Sequence, residues 1–210
     1  MQKRKPEIIV FAGPNGSGKS TITDIVGISS DYIYINADEI KKATHCTDLE
    51  AAVWAEEKRE NALDNNDSFV FETVLSTERN LLLLEKAKDK GYFIKAYFVL
   101  TCDPEINISR VEARVESGGH DVPVEKIKKR FTNSINNISE LVSIADVVHI
   151  IDNSVEPFRI FKKRKDKYFY WENDNWSKGD IEFITDVREW SDYDSWKREK
   201  ESNNPKNDNR

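Results

Sequence analysis

Gly13-Pro14-Asn15-Gly16-Ser17-Gly18-Lys19-Ser20 stands between Glu7 to Ala12 (EIIVFA) and a helical stretch from Ser20 to Ile28, and the fold of the chain turns on this junction. EIIVFA is β-branched and aromatic, as buried strands are. The stretch after Lys19 has helical spacing and stops near Gly27. Strand, glycine-rich turn and helix form the context in which GxxxxGK[ST] is a phosphate-binding loop. Glycines at 13, 16 and 18 let backbone N–H groups turn inward around a β-phosphate, and the helix N-terminus adds its positive end. Lys19 supplies a mobile charge to the β/γ oxygens, and the Ser20 hydroxyl is placed to ligate Mg²⁺. Pro14, Asn15, Ser17 and Thr21 complete the expected nucleotide-binding stretch. A dinucleotide-binding pattern fails here, because after Gly18 come Lys19 and Ser20 and then Thr21, where GxGxxG needs its third glycine.

Outward from this junction, β and α signals alternate. Asp31 to Asn36 reads as a second strand, Asp48 to Leu63 as a helix capped by Thr47 or Asp48, and Ser68 to Phe71 as a third strand. An amphipathic helix from about Glu78 to Lys90 stops at Gly91 and leads into a strand over Tyr92 to Leu100. Two helical stretches flank the loop Gly-Gly-His-Asp-Val-Pro, and Asp146 to Ile151 forms a fifth strand. The pattern predicts an α/β fold of the P-loop NTPase kind, with a mainly parallel five-stranded sheet and helices on both faces. One domain over 1–190 is expected, with a helical lid at about 104–138 and a β-hairpin appendage at about 158–171. Arg159, Lys162, Lys163, Arg164, Lys165 and Lys167 of the hairpin read as a solvated edge strand or as a site for an anionic partner. Residues 191–210 carry only isolated aromatics and read as a disordered tail.

Composition narrows the function. The chain has 210 residues, 38% of them hydrophobic and 33% charged, enough for a core that needs no disulfide or structural metal. Thirty-two Lys+Arg against 38 Asp+Glu leave a formal charge of -6, which argues against non-specific nucleic-acid binding. Cys46 and Cys102 have no metal-binding spacing and read as free thiols of a reducing cytosol. No export signal or membrane span is legible, so a cytoplasmic protein is expected.

Open α/β sheets bind ligands at the carboxyl edge of their strands, so the polar residues there are candidates for chemistry. Asp38, after the second strand, is either a general base towards a substrate hydroxyl or an N-cap. Glu72 and Thr73 end the third strand; Glu72 either orients a substrate hydroxyl or holds magnesium through water, or simply bonds nearby backbone. Arg110 and Arg114 share a helix face beside Ile108, Val111 and Val115. The following helix buries Val124, Ile127, Phe131, Ile135 and Ile138 and leaves Arg130 off that stripe, with His120 in the intervening loop. Such a pair suits a lid over a transferring phosphate, and surface ion pairing is the alternative.

GPNGSGKST, NADEI, FVFET, NISRVEARVESGGHDVP and ADVVHIIDNS, in that order over about residues 7 to 155, resemble the zeta-toxin-like small P-loop kinases, which include toxins that phosphorylate UDP-N-acetylglucosamine. The resemblance implies that Asp38 is the base, that Arg114 and Arg130, with Arg110, stabilise the transferred phosphate, and that Glu72, Thr73, Arg110 and His120 face the substrate. It also implies that Asn153 borders the adenine of ATP, and that an antitoxin is a possible partner. The expected activity is transfer of the γ-phosphoryl group of Mg²⁺-ATP to a hydroxyl of a small molecule, with a nucleotide sugar as the leading acceptor. An ATP-dependent switch acting on a protein or nucleic acid, or a binding protein without turnover, is the alternative.

Overall fold

The structure, a computed structural model, describes residues 5–202. Its centre is a seven-stranded sheet in the order β2-β3-β1-β4-β5-β6-β7. The parallel strands are β1 (Glu7–Ala12), β2 (Ile33–Ile35), β3 (Phe69–Thr73), β4 (Phe93–Leu100) and β5 (Val147–Asp152). All five lie where the alternation predicts them. β6 (Phe158–Arg164) and β7 (Lys167–Tyr170) continue the same sheet antiparallel. The hairpin is therefore part of the sheet, not an appendage.

Helices cover both faces, as expected. The main core lies under α3 (Asp48–Asn65), α4 (Arg79–Asp89), α7 (Ile138–Ile144) and α8 (Lys178–Thr185), with α2 (Ala37–Thr44) at its border. On the other face α1 (Lys19–Val26) places Ile22 against Ile9, Phe11, Val70, Tyr97 and Val99. Beyond α1 an aromatic row runs across the strands: Phe11 stacks on Tyr97 at 5.1 Å and Tyr97 on His149 at 5.0 Å. Burial, and then the cations Arg159, Lys95, Lys162 and Arg164, lower the His149 pKa to about 3.

Two expectations at the carboxyl end are corrected. The basic residues of β6 do not all face water, because β7 and the last helix cover that strand: Lys162 and Lys163 are only 9% and 7% exposed. Lys163 donates to the carbonyls of Val142 and Ser143, which dock α7. Lys162 lies 5.3 Å from the Tyr193 ring centre and 4.3 Å from that of Trp196. Both aromatics belong to α9 (Tyr193–Ser202), a helix in the stretch expected to be disordered. They also pack on Phe169, and cation–π attraction adds to this burial. Residues 203–210 of the expected tail lie outside the described residues.

The lid pair is α5 (Pro104–Glu116) and α6 (Val124–Asn136), which share a small separate core of Ile108, Val111, Val122 and Ile127. Val124, expected in the buried stripe, is 41% exposed, because α6 begins there and Val122 of the loop fills the gap instead.

Candidate active site

The phosphate loop leaves β1 next to β3 and β4, where the chain order of the sheet diverges on the two sides of β1. Glycine is required at three of its positions, Gly16 and Gly18 among them. At Gly16 (φ 76°) a Cβ would sit 2.4 Å from the Asn107 carbonyl oxygen, and at Gly18 (φ 86°) 2.2 Å from Asn153 Nδ2. Gly18 is also the N-cap of α1, and no side chain caps that helix. Its first N–H groups are left for an anion. Buried nearby, Ser17 Oγ has no partner.

Four residues distant in sequence brace this loop. Asn153 Nδ2 donates to Ser17 O at 2.8 Å, Asn107 Nδ2 to Asn15 O at 2.6 Å, and Arg130 Nη1 to Asn15 Oδ1 at 3.0 Å. Thr101 Oγ1 in turn donates to Asn107 Oδ1. Asn153 is thus buried behind the loop. Its amide holds backbone rather than standing open beside a base.

Lys19 Nζ folds back onto the carbonyls of Gly13 and Pro14, at 2.8 and 3.1 Å. Burial lowers its pKa to about 8, opposed by the carboxylates of Glu72 and Asp38 and reinforced by Arg114 and Arg130. This electrostatic neighbourhood links residues that the sequence nominated from the phosphate loop, α2, β3 and both lid helices. Ser20 and Thr21 are exposed at the start of α1.

Asp38 is not the N-cap of α2. Asn36 takes that role, its Oδ1 accepting from Asp38 N at 2.8 Å, and Asp38 occupies the first turn with an exposed side chain. Glu72 is held from two sides: Tyr34 OH donates to its Oε1 at 2.8 Å, and Thr23 Oγ1 lies 3.2 Å from the same oxygen. Asn36 Nδ2 donates to Tyr34 OH at 3.0 Å. Tyr34, Asn36 and Thr23 went unnominated, although 34, 36 and 38 have the same parity along the second strand and its exit. Thr73 serves its own loop, its Oγ1 accepting from Leu75 N at 3.0 Å and Asn80 Nδ2 at 2.8 Å.

The remaining lid residues sit further out. Arg114 Nη2 donates to His120 O at 2.8 Å, so this arginine closes its own loop while remaining within electrostatic reach of Lys19. His120 Nε2 stands 3.7 Å from Asp48 Oδ2 at the start of α3. Arg110 Nη2 donates to Ser154 O at 3.0 Å, next to Asn153, and its Nη1 is buried without a partner. Neither His120 nor Arg110 has a contact with Glu72 or Thr73.

The site fits a nucleoside triphosphate, since it offers a glycine cradle, uncapped helix amides and a lysine facing no paired acid. Among the described residues no group of three or more His, Cys, Asp or Glu could hold a metal. A divalent cation here would rely on Ser20 and phosphate oxygens, as Mg²⁺ commonly does. No helix among the described residues is long and apolar enough to cross a membrane.

The Zeta toxin family model matches residues 1–174. An uncharacterized protein of Haemophilus influenzae is 30% identical over 127 residues, 59% of this chain and 91% of the relative. Among solved structures, the AvrRxo1-ORF1:AvrRxo1-ORF2 complex with sulphate ions aligns with a TM-score of 0.65 at 16% identity, over 86% of this chain and 64% of that one. The same complex with ATP aligns with a TM-score of 0.65 at 14% identity, over 90% and 66%. The PezAT toxin-antitoxin system of Streptococcus pneumoniae aligns at 0.58 and 15%, over 97% and 87%. At these identities the solved structures show a shared fold, and the chain spans 64–66% of the aligned chain in the AvrRxo1 complexes. The chain belongs to the Zeta toxin family, and it shares the fold of the AvrRxo1 and PezAT structures.

Proposed function

We propose that the protein transfers the γ-phosphoryl group of Mg²⁺-ATP to a hydroxyl of a small molecule, with a nucleotide sugar such as UDP-N-acetylglucosamine as the leading acceptor. The observation that carries this reading is Arg130 bonded to Asn15 of the phosphate loop, with Glu72 at the end of β3 and Asp38 in the first turn after β2 at the same edge of the sheet. A nucleotide switch has no need of a carboxylate free to take a proton from a hydroxyl, and the Asp38 side chain makes no hydrogen bond among the described residues. The ATP complex of AvrRxo1 and the family match support ATP as the donor.

The division of labour follows from the chemistry of phosphoryl transfer, which asks for positioning and charge neutralisation more than for covalent help. Bound ATP with Mg²⁺ supplies the electrophilic phosphorus. The loop amides and Lys19 hold the phosphate oxygens, and Ser20 offers its hydroxyl to the cation. Arg130, already on the loop through Asn15, and Arg114 neutralise charge that develops on the moving group. Asp38 accepts the acceptor's proton, and Glu72 orients the acceptor. Asn153 braces the loop from behind through Ser17 O, and Arg110 bonds the neighbouring Ser154 O. An antitoxin partner is proposed on the same family ground, since the PezAT neighbour is described as a toxin-antitoxin system.

The test is incubation with Mg²⁺-ATP and a panel of nucleotide sugars, nucleosides and polar metabolites, read by mass spectrometry as the gain of one phosphate. Asp38→Asn should lower turnover by about 10²- to 10⁴-fold with ATP binding nearly intact. Turnover unchanged in that variant would remove Asp38 from the chemistry.

A further inference from the structure

The site holds an unusual juxtaposition. Glu72 is the carboxylate that most favours the charged form of Lys19, yet the two form no ion pair: Lys19 Nζ bonds the carbonyls of Gly13 and Pro14 instead. Thr23 Oγ1 bonds the Lys19 carbonyl at 3.0 Å and lies 3.2 Å from Glu72 Oε1, and a lysine and a glutamate that share such a neighbour would ordinarily join, the more so where burial has stripped water from the ammonium group. Such a pair would engage the charge that a phosphate needs.

Two hydroxyl groups, of Tyr34 and Thr23, hold Glu72 away. β2 and β3 run parallel with Tyr34 beside Val70, two residues before Glu72 on the same face of β3. The phenol ring covers that two-residue rise of about 6.6 Å, and its hydroxyl arrives at Oε1, 2.8 Å away. Asn36 Nδ2 donates to the phenol oxygen at 3.0 Å, which turns the single phenol proton towards Glu72. Burial, with the hydrogen bond to Glu72, raises the Tyr34 pKa well above the ordinary phenol value, although the Asn36 contact opposes the rise. Tyr34 therefore stays a neutral donor throughout the working range. Thr23, from α1, closes the other side at 3.2 Å. Glu72 Oε2 takes no hydrogen bond among the described residues and is left for a ligand.

We propose that Tyr34 is a positioning residue that tethers Glu72 away from Lys19, so that the lysine is free for phosphate and one carboxylate oxygen is free for the acceptor. The proposal rests on the nucleotide-binding reading above. Asn36 extends the tether to Asp38, because its Oδ1 caps the helix that carries the proposed base while its Nδ2 orients Tyr34. One asparagine thus registers both carboxylates of the site against the phosphate loop. The charged groups facing Lys19 are Glu72 from β3, Asp38 from α2, Arg114 from α5 and Arg130 from α6; of these only Glu72 has its position set by Tyr34.

The experiment is a double-mutant cycle on ATP affinity, read by calorimetry in EDTA so that neither turnover nor the cation enters. Tyr34→Phe keeps the ring and deletes the tether, and it should weaken ATP binding about tenfold as Glu72 moves onto Lys19. Glu72→Gln should bind ATP at least as well as the wild type. The double variant Tyr34→Phe/Glu72→Gln should recover to within about threefold of Glu72→Gln, because the competing charge is gone. A loss caused by poor folding would not be rescued by a second substitution at the site. Two results overturn the tether: Tyr34→Phe binding as the wild type does, or a double variant as weak as Tyr34→Phe. A wild-type protein with no affinity for ATP overturns the nucleotide-binding reading itself, a separate outcome from either of these.

Discussion

Arg130 donates to Asn15 at 3.0 Å, so a lid helix grips the phosphate loop before any phosphate is bound. Burial lowers the arginine's pKa from its ordinary value, though a guanidinium remains charged at any working pH. The contact sets one donor of the lid in register with Lys19, and the rest of the guanidinium stays available. Arg130→Ala should lower phosphoryl transfer by about 10²- to 10³-fold, the usual worth of a preorganised donor to developing charge. Single-turnover kinetics at saturating ATP would check this, and a change confined to KM would instead make Arg130 a binding residue.

The depressed Lys19 pKa of about 8 makes nucleotide binding pH-dependent in a defined window. Below pH 8 the free site already carries the proton; between about 8 and the ordinary 10.5 of lysine, the neutral amine must take one up when phosphate arrives. ATP affinity should therefore fall as pH rises through 8, with proton uptake on binding. Calorimetry at pH 8.5 to 9 in buffers of different ionisation enthalpy would show that uptake. It should vanish in Lys19→Arg.

Folding stability has an acid limb at His149. Its folded pKa of about 3 lies below the ordinary 6.5, so the unfolded chain binds a proton that the native stack excludes. The slope of stability against pH is then positive between 3 and 6.5, and stability is lost as pH falls through that window. His149→Phe keeps an aromatic ring against Tyr97 and removes the proton. Urea denaturation at pH 7 and pH 4.5 should show a smaller loss in this variant than in the wild type.

Trp196 lies 4.3 Å over Lys162 and 5.2 Å from the ring of Phe169, and with Tyr193 it attaches α9 to the sheet. Trp196→Ala should cost about 1–3 kcal/mol, a cation–π contact and part of an aromatic burial together. Denaturant titration would measure it. A loss below about 0.5 kcal/mol, the range of ordinary surface substitutions, would mean that α9 does not depend on this anchor.

The local grammar of the chain was legible. Strand, loop and helix around residues 7–28 follow from composition and glycine placement, and the five parallel strands follow from alternating runs of apolar residues. The carboxyl edge of a parallel sheet then nominated Asp38 and Glu72 without any coordinates, because topology puts every such strand end on one side. Phosphate loop and lid arginines belong to the same class of inference: residue type at fixed spacing.

What tertiary structure decided is everything that depends on which distant groups meet. Asn153 looks like a base-side residue until its amide is found on Ser17, and Thr73 like a substrate residue until its hydroxyl is found within its own loop. The basic run at 159–167 reads as a solvated edge because single-strand patterns do not say what lies on top of a strand; two of its lysines are covered, by α7 and α9. Tyr34 is ordinary strand composition by itself and acquires a role only through the parallel register with β3, which carries its hydroxyl to Glu72. Spacing along a chain determines periodicity and turn chemistry, whereas hydrogen bonds across 38 residues, from Tyr34 to Glu72, or 136, from Ser17 to Asn153, exist only once the core has packed and brought the ends of separate strands together.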